Sequence, residues 1–276
     1  MRRIMLPVVA FAPLLALAAA SCGMPALSFQ QQAGWQPEEG RLPSLRVADA
    51  AMAGGVPDTA LAVTRTILQK DPQNVPALLK QGEVLMAMHH LDVATESYDR
   101  ALAADPHSEE AMLGLGRIRL ASDRPADAET MFRRAIETRP NDPRAHSNLG
   151  IALDLQDRHT DAQAAYRAAL AAAPGNVPAQ VNLALSLTLS GATDEALTLL
   201  RPLAADHDAS RRVRHDLAAA LALAGDQRAA ANILKGDLTP EQIGTALAAY
   251  QSLAYQPMPE PTKKNDPSTP DKPAHD

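Results

Sequence analysis

The single thiol of the chain, Cys22, stands in Ala19-Ala20-Ser21-Cys22-Gly23, directly behind a run of small residues. A lone cysteine cannot close an intramolecular disulfide, and it excludes Cys-based zinc sites and Cys-x-x-Cys redox chemistry together. Its remaining use is as a point of modification. The eight histidines are scattered over predicted turns and helix surfaces. His89 and His90 sit together in a predicted turn, but no third ligand accompanies them, so a solvated turn is the expectation. Gly114-Leu115-Gly116 looks like a fragment of a dinucleotide loop. It falls inside a predicted helix with no strand before it, which makes these packing glycines. No His-Glu-x-x-His, Gly-x-Ser-x-Gly or phosphate-loop motif occurs. No catalytic nucleophile and no cofactor is nominated, and an enzyme is not expected.

Composition narrows the class further. The 276 residues are 46% apolar, too many for wholesale disorder, and Lys+Arg number 26 against 32 Asp+Glu with no basic block. Such a chain lacks the electrostatic footprint that nucleic acid selects. Pro72, Pro106, Pro140 and Pro174 recur at intervals of 34 residues, each after an Ala- or Leu-rich helical stretch. Ala60, Ala94, Ala128 and Ala162 hold a second phase; Tyr98, Phe132 and Tyr166 hold a third. Ala101, Ala135 and Ala169 hold a fourth, and Gly82, Gly116 and Gly150 a fifth. A fixed period of this length marks an array of helix pairs whose faces are buried only by their neighbours.

These residues resemble the tetratricopeptide repeat, in which small residues let paired helices approach while the aromatic fills the gap between them. The resemblance implies an all-α, right-handed solenoid of about six helix pairs, phased 41–74, 75–108, 109–142, 143–176, 177–210 and 211–244. Within each unit, helix A begins after the proline and helix B ends before the next. Thr64 and Leu200 stand where an aromatic is expected, and Asp208 replaces a proline, deviations suited to end units. Leu238-Thr239-Pro240-Glu241 sets Thr as N-cap and Pro as first helical residue of a capping helix.

In such an array the A helices line a concave face that presents equivalent positions to one extended ligand. Asn148 and Asn182 are 34 residues apart, with Asp216 in the next unit at the same phase. In the arrays this chain resembles, asparagines at this phase hydrogen-bond the backbone of an extended peptide, since an amide donates and accepts at once. The alternative is that they are helix-surface or inter-unit packing residues. Glu83, Arg117, Ile151 and Leu185 flank the ladder, with Leu113, Ser147, Val181 and His215 one turn earlier. Arg117, Arg144 and Arg212 offer pairing to acidic partner residues. Only Lys80 supplies a lysine at its phase, so a lysine clamp for a terminal carboxylate is not reproduced.

Residues 1–21 put Arg2 and Arg3 ahead of an apolar run and small residues, the pattern of a secretory signal. The cysteine that follows resembles the lipobox of bacterial lipoproteins, with Ala19 where leucine is usual. That resemblance implies acylation of Cys22 as the mature first residue and, with Gly23 after it, outer-membrane retention on the periplasmic face. Cleavage at an Ala-x-Ala site, leaving a soluble periplasmic protein, is the alternative. Removing Arg2 and Arg3 and no acid takes the formal charge from −6 to −8. Residues 22–43 read as a flexible tether, 44–255 as the solenoid, and 256–276, rich in proline and charge, as a disordered tail.

The segment from Arg212 to Tyr250 resembles the end of the tetratricopeptide lipoproteins of the tight-adherence (Tad) locus, through Arg214, Leu217, Gly225, Asp237, Leu238 and Pro240. This resemblance implies an outer-membrane-anchored periplasmic adaptor that supports Flp-type pilus assembly by binding protein, the pilus secretin or another assembly component. No small-molecule substrate is implied. The alternative is a general envelope-scaffold lipoprotein of the same architecture, serving cell-wall synthesis, outer-membrane assembly or secretion.

Overall fold

The computed structural model describes residues 44–206 and 208–252, so Cys22 and the segments read above as signal, tether and tail lie outside the described residues. Thirteen helices and no strand occur among them. Six pairs run in order: α1 (Leu45–Ala53) with α2 (Pro57–Lys70), α3 (Val75–Ala87) with α4 (Leu91–Ala104), and α5 (Glu109–Ala121) with α6 (Pro125–Thr138). Then come α7 (Pro143–Asp154) with α8 (His159–Ala172), α9 (Val177–Leu189) with α10 (Thr193–Ala205), and α11 (Arg211–Leu223) with α12 (Gln227–Leu234). A final helix, α13 (Pro240–Ser252), packs on α11 and α12.

Every helix touches only its near neighbours in sequence, which makes the molecule a repeat solenoid. The odd-numbered helices of adjacent units touch one another, whereas the even-numbered ones do not. The stack therefore curves toward the odd-numbered A helices, and these line its concave face.

Helix starts follow local chemistry. Asn74 and Asn176 precede the same Val-Pro-Ala run and accept from the N–H of Ala77 and Ala179 at 3.0 and 3.1 Å. The prolines fall at the first or second helical position, where no ladder donor is lost. All six turns within the pairs share one device. Gly55, His89, Asp123, Asp157, Gly191 and Gly225, spaced by 34, carry positive φ between 56° and 90°. The next N–H reaches back to the last turn of the A helix, as from His90 to Leu85 O at 2.9 Å and from Ala192 to Leu187 O at 2.8 Å. This is the left-handed stop that satisfies otherwise orphaned carbonyls. His89 is thus a turn residue.

The core is built from the periodic positions. Ala60, Ala94, Ala128, Ala162, Ala196 and Ala230 are all fully buried. Thr64, Tyr98, Phe132, Tyr166, Leu200 and Leu234 occupy one equivalent position, each 2% exposed or less. Thr64, the polar exception, is satisfied by donating its hydroxyl to Leu61 O at 2.9 Å. A Cβ on Gly82 would stand 2.7 Å from Tyr98 Cζ; one on Gly116 would meet Phe132, and one on Gly150 would meet Tyr166. Glycine is required there because the aromatic ring occupies the space of a side chain, and even alanine would overpack the site at a cost of about 1–3 kcal/mol.

Two features mark the C-terminal helices. Pro202 lies inside α10 rather than ending it. It sits in the last turn, so the lost N–H removes a single ladder bond close to a helix end. At the C-terminus, Thr239 and Gln242 form a reciprocal capping box, with Thr239 N–H donating to Gln242 Oε1 at 3.0 Å and Gln242 N–H to Thr239 Oγ1 at 3.4 Å. From α13, Ile243 is buried, and Ala246, Leu247 and Tyr250 pack partly buried against the core.

Candidate functional site: a groove on the concave face

The concave face carries a groove of about 780 Å³ along α3, α5, α7 and α9. Its lining follows from helix geometry. On each A helix the residues at i, i+3, i+4 and i+7 form one stripe: Pro76, Leu79, Lys80 and Glu83 on α3; Arg144, Ser147, Asn148 and Ile151 on α7. Helix α5 contributes Glu110, Leu113 and Arg117, and α9 contributes Pro178 and Asn182.

At the i+4 position of α5 stands Gly114, not a polar residue, and there a side chain from behind fills the gap. A Cβ on Gly114 would collide with the Tyr98 ring, so the tyrosine of α4 reaches the groove floor. Burial holds the Tyr98 hydroxyl above its ordinary pKa, although the nearby Arg117 guanidinium opposes that rise. Sequence reasoning assigned Tyr98 to the core alone; the clue was a glycine at the ladder phase.

The candidate residues separate as follows. Arg117, Asn148 and Asn182 line this one groove. The Asn148 side chain is half-buried and makes no hydrogen bond with any described residue. Asn182 accepts at Oδ1 from Arg212 Nη2 at 3.0 Å, which leaves its amide N–H groups to donate elsewhere. Asp216 stands beyond the groove lining. Its Oδ2 is buried without a hydrogen bond, 3.7 Å from Arg212 Nε, and burial raises its pKa despite Arg212 and His215. Cys22 lies outside the described residues.

Most charges at the groove are already spent. Lys80 Nζ lies 2.7 Å from Asp49 and 2.6 Å from Glu83. Arg144 grips Asp142 through Nε at 2.9 Å and Nη2 at 2.5 Å, and Nη2 stands 3.5 Å from Glu110. Asp142 also caps α7 by accepting from the Arg144 N–H at 2.7 Å, and these bonds hold it well below the usual carboxylate range despite its burial. Beside it Glu109 is 1% exposed. Burial, then the neighbouring Asp142, raises the Glu109 carboxyl to about 7 against the pull of Arg139 and Arg144. Arg139 Nε lies 2.7 Å from Glu109 Oε2 but is not aligned to donate, so neither carboxyl oxygen has a hydrogen bond.

A second polar cluster escaped the sequence altogether. Asp154, ending α7, accepts from Tyr166 Oη at 2.9 Å and from Ser186 Oγ at 2.7 Å, and its Oδ1 lies 2.9 Å from His159 Nδ1. Serine, histidine and aspartate meet here, but the carboxylate stands between the other two and Ser186 is fully buried. A general base must itself reach the hydroxyl, so this arrangement activates no nucleophile. It is an inter-unit tie. Among the described residues no group of three or more His, Cys, Asp or Glu is placed to hold a metal ion.

Residues 85–149 match the tetratricopeptide repeat family model. The match covers 65 of the 276 residues, and over them the chain is similar to tetratricopeptide repeats. The same fold recurs in PilF of Pseudomonas aeruginosa, 17% identical with a TM-score of 0.64, covering 74% of this chain and 95% of that one. A tetratricopeptide protein of Parabacteroides merdae is 14% identical at a TM-score of 0.59, covering 75% and 82%. YrrB, described as a tetratricopeptide protein with an unusual peptide-binding site, is 17% identical at 0.52, covering 69% and 95%. At these identities the likeness is one of fold. No curated protein matches the chain. The polar groups left open on this fold lie in the concave groove.

Proposed function

We propose that the chain is a lipid-anchored adaptor of the bacterial envelope that holds an extended segment of a protein partner in its concave groove and supports assembly of a Flp-type pilus. The observation that carries the binding half is the Asn148 amide, without a hydrogen bond to any described residue, in a groove lined by four successive A helices. The half-buried amide offers a donor and an acceptor to the groove, and a peptide backbone supplies the complement of each. The anchoring half rests on Ala19-Ala20-Ser21-Cys22 behind an export signal. Acyl chains on Cys22 would confine the groove to a membrane surface, raising the effective concentration of any partner there. The pilus half rests on the C-terminal resemblance, whose Arg214 and Asp237 make a structural pair in this chain.

The test is affinity purification of the C-terminally tagged chain from crosslinked, detergent-solubilised envelopes, with Cys22→Ser in parallel. The proposal expects a pilus secretin or another pilus-assembly component, enriched over the Cys22→Ser control, and release of the variant from membranes. Cell-wall or secretion enzymes in its place would move the chain to the general envelope scaffolds, and tight membrane association of Cys22→Ser would refute the lipid anchor.

A further inference from the structure

The balance of charge within the groove specifies its occupant more closely, on the reading that the groove binds a peptide. Two of the three cations in its lining are neutralised at close range: Lys80 by Asp49 and Glu83, and Arg144 by Asp142 and Glu110. Those contacts also consume the groove's own acids, Glu83 and Glu110. Arg117 differs. It is exposed and makes no ion pair with any described residue. It reaches the Tyr98 hydroxyl but no carboxylate of a described residue, and in a chain with a formal charge of −6 a guanidinium without a counter-charge is a site of local positive potential.

Its surroundings are apolar on one side, while Glu83, held by Lys80, and the Tyr98 hydroxyl stand on the other. Leu113 precedes Arg117 by one helical turn, and Ile151 holds the equivalent place on the next A helix. A carboxylate approaching Arg117 would leave water on its aliphatic side, which strengthens a charge-assisted hydrogen bond relative to one in bulk solvent. Asn148 stands on the same stripe as Ile151, ready for the backbone of whatever segment brings that carboxylate.

We infer that the groove selects an extended segment bearing an internal acidic side chain flanked by aliphatic residues, the carboxylate on Arg117 and the aliphatic groups on Leu113 and Ile151. The carboxylate is that of an aspartate or glutamate and not a chain terminus, because Lys80, the other cation at the α3 end, is committed to Asp49 and Glu83 and cannot complete a clamp around a terminal residue.

The experiment titrates the full chain against three fluorescent peptide libraries of about ten residues, a length that spans the groove when extended. The libraries share a Leu-X-Leu core, randomised flanks and an amidated C-terminus, with X as Glu, Gln or Lys. The Glu library is expected to bind about tenfold tighter than the Gln library, and the Lys library weakest. Arg117→Ala should make Glu and Gln equal without weakening the Gln library, and Arg117→Glu should invert the order in favour of Lys. Equal binding of the Glu and Gln libraries by the wild-type chain would overturn the inference and leave the peptide groove standing, as would a Glu preference that survives Arg117→Ala. A Gln library with a free terminus that matches the amidated Glu library would assign the carboxylate to the chain end and overturn it likewise. Failure of all the libraries to bind would overturn the groove reading itself.

Discussion

Glu109 shows how much a single buried group can set. Its carboxyl lies at the start of α5, against Asp142 at the cap of α7, so the two acids contend for one desolvated space between adjacent A helices. A carboxyl whose pKa rises on folding binds its proton more tightly in the folded chain. Its contribution to stability is therefore present below the unfolded value near 4.5 and lost as pH climbs through about 7. Asp142, held low, has the opposite sign: its contribution is present above the unfolded value of 3.8 and lost as pH falls. Glu109→Gln should accordingly stabilise the chain by about 1–3 kcal/mol at pH 8, with the gain shrinking toward pH 5. Urea titrations at the two pH values measure this, and a difference independent of pH would show that Glu109 keeps its charge without cost. The groove residues are legible at this scale only in part. Asn148 and Asn182 announce themselves by their 34-residue spacing. The freedom of Arg117 does not, because it depends on Lys80 finding Asp49 and Arg144 finding Glu110, contacts between residues 31 and 34 positions apart. Tyr98 joins the groove only because Gly114 lacks a side chain, and the sequence marks the glycine without saying which ring enters.

Helices are the most legible scale, since their period, prolines and small residues are dictated by local geometry and by neighbours that repeat. The turn within each pair is a case where spacing predicts a conformation. Three of the six left-handed positions hold glycine and three hold His89, Asp123 or Asp157, at φ of 61°, 56° and 58°. A residue with a Cβ pays for that conformation, in part offset by the freedom glycine would regain on unfolding. Asp123→Gly should therefore raise stability by about 0.5–1 kcal/mol, read as an increased melting temperature; a decrease would mean that the Asp123 side chain contributes more than its backbone costs. What helix patterns could not give is the inter-unit polarity. Asp154 gathers His159 and Tyr166 from α8 and Ser186 from α9, and nothing in the spacing of these residue types distinguishes a buried tie from a set of surface groups. Pro202 lies in the last turn of α10, where a missing N–H removes one ladder bond.

A solenoid has no long-range contacts to share load, so its ends are held by whatever the last unit provides. Here the last unit supplies Arg214, which donates to Asp237 through Nε at 2.8 Å and Nη2 at 2.6 Å and to Ala209 O at 2.6 Å. Asp237 joins α12 to α13, so this fork clasps the capping helix to α11. Arg214→Ala should speed amide exchange across α13 while leaving α3 through α8 protected, because opening propagates only through neighbouring units. Uniformly faster exchange would indicate a globally cooperative array. The same one-dimensional build suits the function proposed: a short stretch of A helices, from α3 to α9, with Tyr98 of α4 between them, lines the groove.

The most direct test of the groove as the partner-binding surface is site-specific photo-crosslinking in intact envelopes, with the photoreactive residue placed at Ile151 on the concave stripe or at Thr130 on the exposed side of α6. Crosslinking from Ile151 to one discrete segment of one protein, lost in Asn148→Ala, with none from Thr130, is the result predicted. A partner captured equally from Thr130, or from Thr130 alone, would contradict it.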